Sequence, residues 1–327
     1  MRKKWIDFAM KKSDETGRKV LTYLNMFVPN SGGFSFTITQ LYDELFHVCV
    51  TTEQYLKIKR ELEEEFDLEL PVVREQGLLS GGARQEERVR NNTEFSRLRE
   101  EDLVEMNKPI IKRKHEEAQD HFALVENAFS IQDQKDFLAF DSKAYEHDYS
   151  KVLEIGYVIV RFSRHGTEGN LPKAKVINRK HLIIEENLHL KNKDNVPDNG
   201  DEFKFGVSET LSQEDAVERF REGVRGSDYL LQHSVKHDDA YLRNIGVDLS
   251  VRGNEMFYTQ VVQTYKGSLI ESEKYFMCSL SFLMGKYLGY QERNLQNAAG
   301  SKAIYTMMAF LRQMGYSAEE VKTIIAS

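Results

Sequence analysis

Two apolar runs within Asp136–Ser163 (DFLAFDSKAYEHDYSKVLEIGYVIVRFS) constrain the fold more than any other part of the chain. They are expected as strands over Phe137–Asp141 and Val152–Phe162, joined by a polar connection. Asp141 stands where the first run ends, so its carboxylate projects from a strand terminus into whatever cleft lies there. Strand and helix patterns then alternate to the end of the chain, which indicates an α/β domain. Lys175–Ile177 and His181–Glu185 form a third strand bent at Asn178-Arg179, and a polar loop follows. Ser212–Val224 has helix spacing, with Ser212 ahead of Glu214 and Asp215 as its start. Tyr229–Leu231 and Phe257–Val262 are expected strands; Asp238–Ile245, Ser272–Leu288 and Ser301–Met314 are expected helices. A short last helix takes Ser317 as its cap.

Upstream of Phe129 the pattern is mainly helical. Val20, Leu21, Leu24, Phe27 and Val28 recur at helix spacing, and so do Ile38, Leu41, Tyr42, Leu45 and Phe46. A third helix opens at Thr51-Thr52-Glu53, and Leu68, Leu70, Val72 and Val73 suggest a short extended segment. Such a module is either winged-helix-like or a helical accessory domain. Gly77–Asn107 is charged and expected as a linker or surface loop. The most basic run, Lys108–His115, could touch phosphate or serve nuclear import; Glu116, Glu117 and Asp120 behind it favour a solvated helix start. The domains expected are therefore 1–76, 77–130 as linker and helix, and 131–327.

A net charge of −7 means that nucleic-acid binding would need a local basic patch. Cys49 and Cys278 are too few and too far apart for a disulfide framework or a zinc site, in keeping with a reducing compartment, cytoplasmic or nuclear. No apolar run reaches membrane-spanning length, and the basic N-terminus lacks the apolar stretch of a signal peptide.

Seven stretches carry a family resemblance. Asp141–Asp148 (DSKAYEHD) and Leu153–Gly156 (LEIG) are similar to a D-x-E-A-W/Y-E-x-D motif followed by an L-x-E-I/F-G strand. Ile184–Asn192 (IEENLHLKN), Val196–Asn199 (VPDN) and Phe203–Glu209 (FKFGVSE) follow in the same order. Gln232–Asp248 (QHSVKHDDAYLRNIGVD) and Leu295–Thr306 (LQNAAGSKAIYT) complete the set. Together they resemble a DEDDh-type 3′–5′ exonuclease domain of the ribonuclease-H-like superfamily, in a poorly characterised fungal-type branch. The resemblance covers about 135–315 and implies a mixed sheet flanked by helices.

It also implies a chemistry: four carboxylates holding two metal ions, and a histidine that deprotonates water. Asp141 matches the first acid and Asp238 the third. Lys143 stands at the second, Lys302 at the last and Asn297 at the base, with Gln296 just before it. An ammonium at a ligand position repels a cation and could take its place beside Asp141 and Asp238. Asn297 cannot accept a proton near neutral pH. Glu146, Asp148 and Glu154 lie near the site but match scaffold positions, as His233 does at a strand end; Asp239 and His237 also lie close. The expectation is a degenerate remnant site without metal, with Mg²⁺ or Mn²⁺ entering only if the site is rescued through Asp141 and Asp238. Lys143, Tyr145, His233 and Lys302 could line a groove for single-stranded RNA. Tyr229, Tyr241 and Phe257 are aromatic candidates better assigned to the core. Three functions remain open: a nucleic-acid-binding or scaffold factor, a protein-interaction module with protein partners, and a divergent active exonuclease.

Overall fold

The computed structural model describes residues 2–30, 34–41, 43–71, 84–130, 133–163, 171–192, 203–234, 238–249, 254–272, 275, 278–291, 295 and 298–327. The chain divides into two compact units, Met1–Lys114 and His115–Ser327. Among the described residues no helix is long and apolar enough to cross a membrane.

The first unit begins with α1 (Arg2–Lys12) and α2 (Asp14–Asn30), followed by β1 (Phe34–Gln40), β2 (Phe46–Cys49) and α3 (Thr52–Phe66). α3 opens at Thr51 as the sequence suggested, and there Thr51 and Gln54 form a reciprocal capping box. Trp5, Val20, Ile58 and Leu62 are buried together against these helices, and the Trp5 indole donates to the Pro71 carbonyl at 3.0 Å. The helix expected over Ile38–Phe46 is instead an antiparallel hairpin, with β1 between β2 and β3 (Arg84–Val89). FSFTITQ alternates apolar and β-branched polar side chains, which suits a strand. A tight turn at Leu41–Leu45, with Glu44 at φ 68°, breaks the helical spacing. Gly77–Asn107 is likewise no plain linker from Arg84 onward. It holds β3 and α4 (Asn92–Arg97, capped by Asn91), and a π turn leads into α5 (Leu103–Ser130). The basic run Lys108–His115 lies inside α5 rather than at a helix start. Val72 and Val73 lie outside the described residues.

The second unit is built on one sheet of six strands: β4 (Lys135–Tyr145), β5 (Asp148–Ser163), β6 (Lys173–Ile184), β7 (Ser208–Leu211), β8 (Tyr229–Gln232) and β9 (Glu255–Tyr258). Their spatial order is β7-β6-β5-β4-β8-β9. The β4–β5 and β5–β6 pairs are antiparallel and the other three parallel. The expected bend at Asn178-Arg179 is a local register irregularity opposite Ile159 and Val160 within one long β6. β7 was not foreseen, being four residues long and mostly polar.

Helices cover both faces. On one, Leu138, Phe140, Ile155 and Tyr157 pack against α6 (Gln213–Arg225) and α7 (Asp238–Asn244). On the other, Phe137, Ala139, Val158 and Val160 meet α5, α8 (Thr259–Ser268), α10 (Ala299–Gln313) and α11 (Ala318–Ala326). Two boundaries differ from expectation. β9 ends at Tyr258, where α8 begins, and α9 is confined to Leu280–Leu288 because Ser279 caps it by accepting the Phe282 N–H. Every residue of α10 is buried except Lys302 and Arg312. Such a helix needs very close backbone approach where it meets the sheet. Gly156 and Gly300 provide that approach: a Cβ on Gly156 would lie 2.1 Å from the Gly300 nitrogen.

That contact yields a prediction. Gly156→Ala should destabilise the protein by about 3 kcal/mol, since backbone rather than a flexible side chain must move. Gly226→Ala, whose Cβ meets nothing nearer than 3.5 Å, should stay within about 1 kcal/mol of wild type. Urea denaturation of both variants checks this; equal effects would show that the close approach is not a constraint.

Candidate functional site

Alternation along a strand places Asp141 and Lys143 on the same face of β4, the face that α10 covers. Lys143 pairs directly across the ladder with Glu154 of β5, and Asp141 with Gly156. The Lys143 ammonium donates to Glu154 Oε1 at 3.1 Å, and each side chain is no more than 5% exposed. Glu154 Oε2 receives the Ala299 backbone N–H at 2.9 Å and lies 3.0 Å from His181 Nε2. Ala298 offers α10 no side-chain cap, so a carboxylate from another element serves the first turn of this helix. Burial alone would raise the Glu154 pKa, but His181, Lys143 and the Ala299 N–H outweigh it and bring it down to about 2. The other His181 nitrogen meets Ser208 Oγ at 2.8 Å, which fastens the short edge strand β7 to β6.

Asp141 is less well served. Its Oδ2 is buried and has no hydrogen-bond donor among the described residues; Lys302 Nζ, on the first turn of α10, forms an ion pair with it at 3.7 Å. Burial raises the Asp141 pKa to about 6; Lys302 and Lys143 oppose this rise and Glu154 adds to it. Two carboxylates and two ammoniums thus share the space between β4, β5 and the start of α10. Asp238 opens α7, but its side chain and that of Asp239 lie outside the described residues, as do His237, Gln296 and Asn297.

The remaining sequence candidates take structural positions. His233 Nε2 donates to the Cys278 carbonyl at 3.0 Å, and Nδ1 accepts from the Thr259 hydroxyl at 2.8 Å. Burial lowers the His233 pKa to about 4, so the ring is neutral at physiological pH. Tyr145 ends β4 half-buried, edge-on to His147, while Tyr229 stacks on Phe257 in the core and Tyr241 packs with Tyr149. Asp148 holds its own hairpin through Ser150, and the Glu146 N–H donates to Asn192. Asn192 returns a bond to the Ala144 carbonyl and Asn187 one to Val152, so these two motif asparagines clamp the ends of β4 and β5. Sequence reasoning missed this role, as it missed the hub at Glu154. Only the Asn-x-x-x-x-Asn spacing hinted at it, and the partners are some forty residues upstream.

As a donor set, the described groups do not fit divalent metal. Lys143 occupies Glu154, Lys302 faces Asp141, and among the described residues no three His, Cys, Asp or Glu side chains converge on one point.

The geometry gives two expectations. Glu154→Gln leaves the buried Lys143 without its counter-charge and should cost about 3–5 kcal/mol in chemical denaturation, far more than a surface charge neutralisation. The pH dependence carries two signs. Glu154, with its lowered pKa, contributes stability above its ordinary value of 4.5 that is lost as the pH falls through about 2. Asp141, with its raised pKa, costs stability when ionised above about 6, and the cost fades as the pH falls towards 3.8. In Asp141→Asn this relief is absent. The stability difference between wild type and variant should shift in favour of wild type from pH about 6 to about 4. A constant difference would show that Asp141 titrates normally.

Comparison with known proteins agrees with the family resemblance read from the motifs. An uncharacterised protein of Saccharomyces cerevisiae, YDR514C, is 28% identical over 201 residues, which is 55% of this chain and 41% of the yeast protein. The chain therefore spans less than half the length of that relative. A Thermus thermophilus RuvC structure aligns over 55% of this chain and 96% of its own at 12% identity, with a TM-score of 0.26, a likeness that adds nothing further. The family of DNA polymerase III subunit epsilon-like, C-terminal domains, of DEDDh type, matches residues 136–313, more than half of the chain. The chain belongs to this exonuclease-like family.

Proposed function

We propose that this protein is a catalytically degenerate member of its family that acts as a binding or scaffold factor, with single-stranded RNA as the ligand of its inherited groove. One observation carries the reading: Lys143 and Lys302 pair with Glu154 and Asp141 where metal-dependent phosphodiester hydrolysis needs free carboxylates. With Asn297 at the base position, no imidazole is available there to deprotonate water. Lys302 and Tyr145, both partly exposed, are the described groove residues able to reach a phosphate or a base.

A second reading has its own support. Lys143 is only 4% exposed and His233 has both nitrogens bonded, so half of the expected groove lining is unavailable to nucleic acid. With a net charge of −7, that favours a platform for protein partners.

Incubation with end-labelled single-stranded RNA and DNA in Mg²⁺ or Mn²⁺ tests the first claim. Wild type should shorten neither, like an Asp141→Ala/Asp238→Ala control; trimming that the control lacks would establish an active nuclease. Fluorescence anisotropy separates the two binding readings. A few backbone contacts predict that RNA affinity falls on the order of tenfold between about 50 and about 200 mM salt. Absence of RNA binding at low salt would leave the protein platform.

A further inference from the structure

We propose that Lys143 is a built-in counter-ion that keeps the cleft of this domain in shape without a divalent cation, with Lys302 in a supporting role. The proposal rests on the degenerate-site reading and extends it from catalysis to the ion economy of the fold. Among the described residues the charges balance: Asp141 and Glu154 against Lys143 and Lys302. An incoming dication would have to displace an ammonium or sit beside one in a poorly solvated space, where like-charge repulsion is least screened.

Burial distinguishes the two lysines. The Lys302 side chain is 31% exposed and 3.7 Å from its carboxylate, so it can swing into water and yield its place. Lys143, at 4% exposure and 3.1 Å from Glu154, cannot leave without stranding a buried carboxylate. Glu154 in turn holds the first turn of α10 and the ring of His181, so displacing Lys143 would disturb the helix start as well as the cleft. The ammonium that repels metal is thus the one the fold cannot release.

The test compares thermal unfolding of the whole chain in EDTA, in Mg²⁺ and in Mn²⁺. The wild-type Tm should be the same in all three. Lys143→Glu/Lys302→Asp should melt lower in EDTA and recover by on the order of 5 °C in Mn²⁺ at about a hundred times its dissociation constant. Lys143→Met, which removes the charge without adding a carboxylate, should show no metal response. A folded double variant that ignores Mn²⁺ would overturn the assignment. So would a wild-type Tm that rises with Mn²⁺ and ceases to do so in Asp141→Asn. If the double variant does not fold, electron paramagnetic resonance of Mn²⁺ titrated into wild type decides. An undiminished free-ion signal supports the proposal, and uptake abolished by Asp141→Asn refutes it. Metal uptake without RNA trimming would sink this inference and leave the functional reading standing; trimming would sink the functional reading by itself.

Discussion

The second unit depends on a single buried carboxylate. Glu154 lies in the interior of the sheet, where an unpaired charge would be prohibitive, and is held by an ammonium, an imidazole and a backbone N–H from three other elements. Each contact fixes a different part of the architecture. Lys143 ties β5 to β4, His181 ties it to β6 and onward to β7, and Ala299 seats the start of α10. Removing the carboxylate would leave a buried cation and an uncapped helix at the same point, and so its effect should exceed that of any one bond.

Two backbone features let this hub form. The glycines at 156 and 300 bring α10 against β5, so that the Ala299 N–H reaches a side chain only two residues from the contact. Asn187 and Asn192 bind the Val152 and Ala144 carbonyls and stop the long β4–β5 ladder from fraying beside the site. Glu154, Asn187 and Asn192, motif residues that could pass for catalytic remnants, therefore make scaffold contacts in this fold.

The two ion pairs also limit which charged side chains of this site are accessible. A lysine at a cleft position suggests phosphate contact when only its type and place are known. Burial reverses that inference for Lys143, because its charge is already used. Lys302 and Tyr145 keep partial exposure, whereas Lys143 does not. The family match begins at residue 136, so the first unit and the whole of α5 lie outside it.

Much of the fold was legible because it is encoded locally. Thr51, Ser212 and Ser317 announce their helices by side chains that accept from the N–H three residues on, and the apolar run ending at Asp141 specifies its strand. The hairpin of β1 and β2 has no local signature because Ile38, Leu41, Leu45 and Phe46 mimic helical spacing, and it is pairing with β3, some fifty residues away, that selects the strand. By itself the sequence determined which chemical groups stand at 141, 143, 238, 297 and 302, hence which donors and bases a metal site could draw on. Only the tertiary structure decided how those charges are used: Lys143 joins Glu154, and Lys302 faces Asp141. That choice depends on ladder register and on the seating of a helix a hundred and fifty residues downstream, and electrostatic pairing across such distances has no local signature.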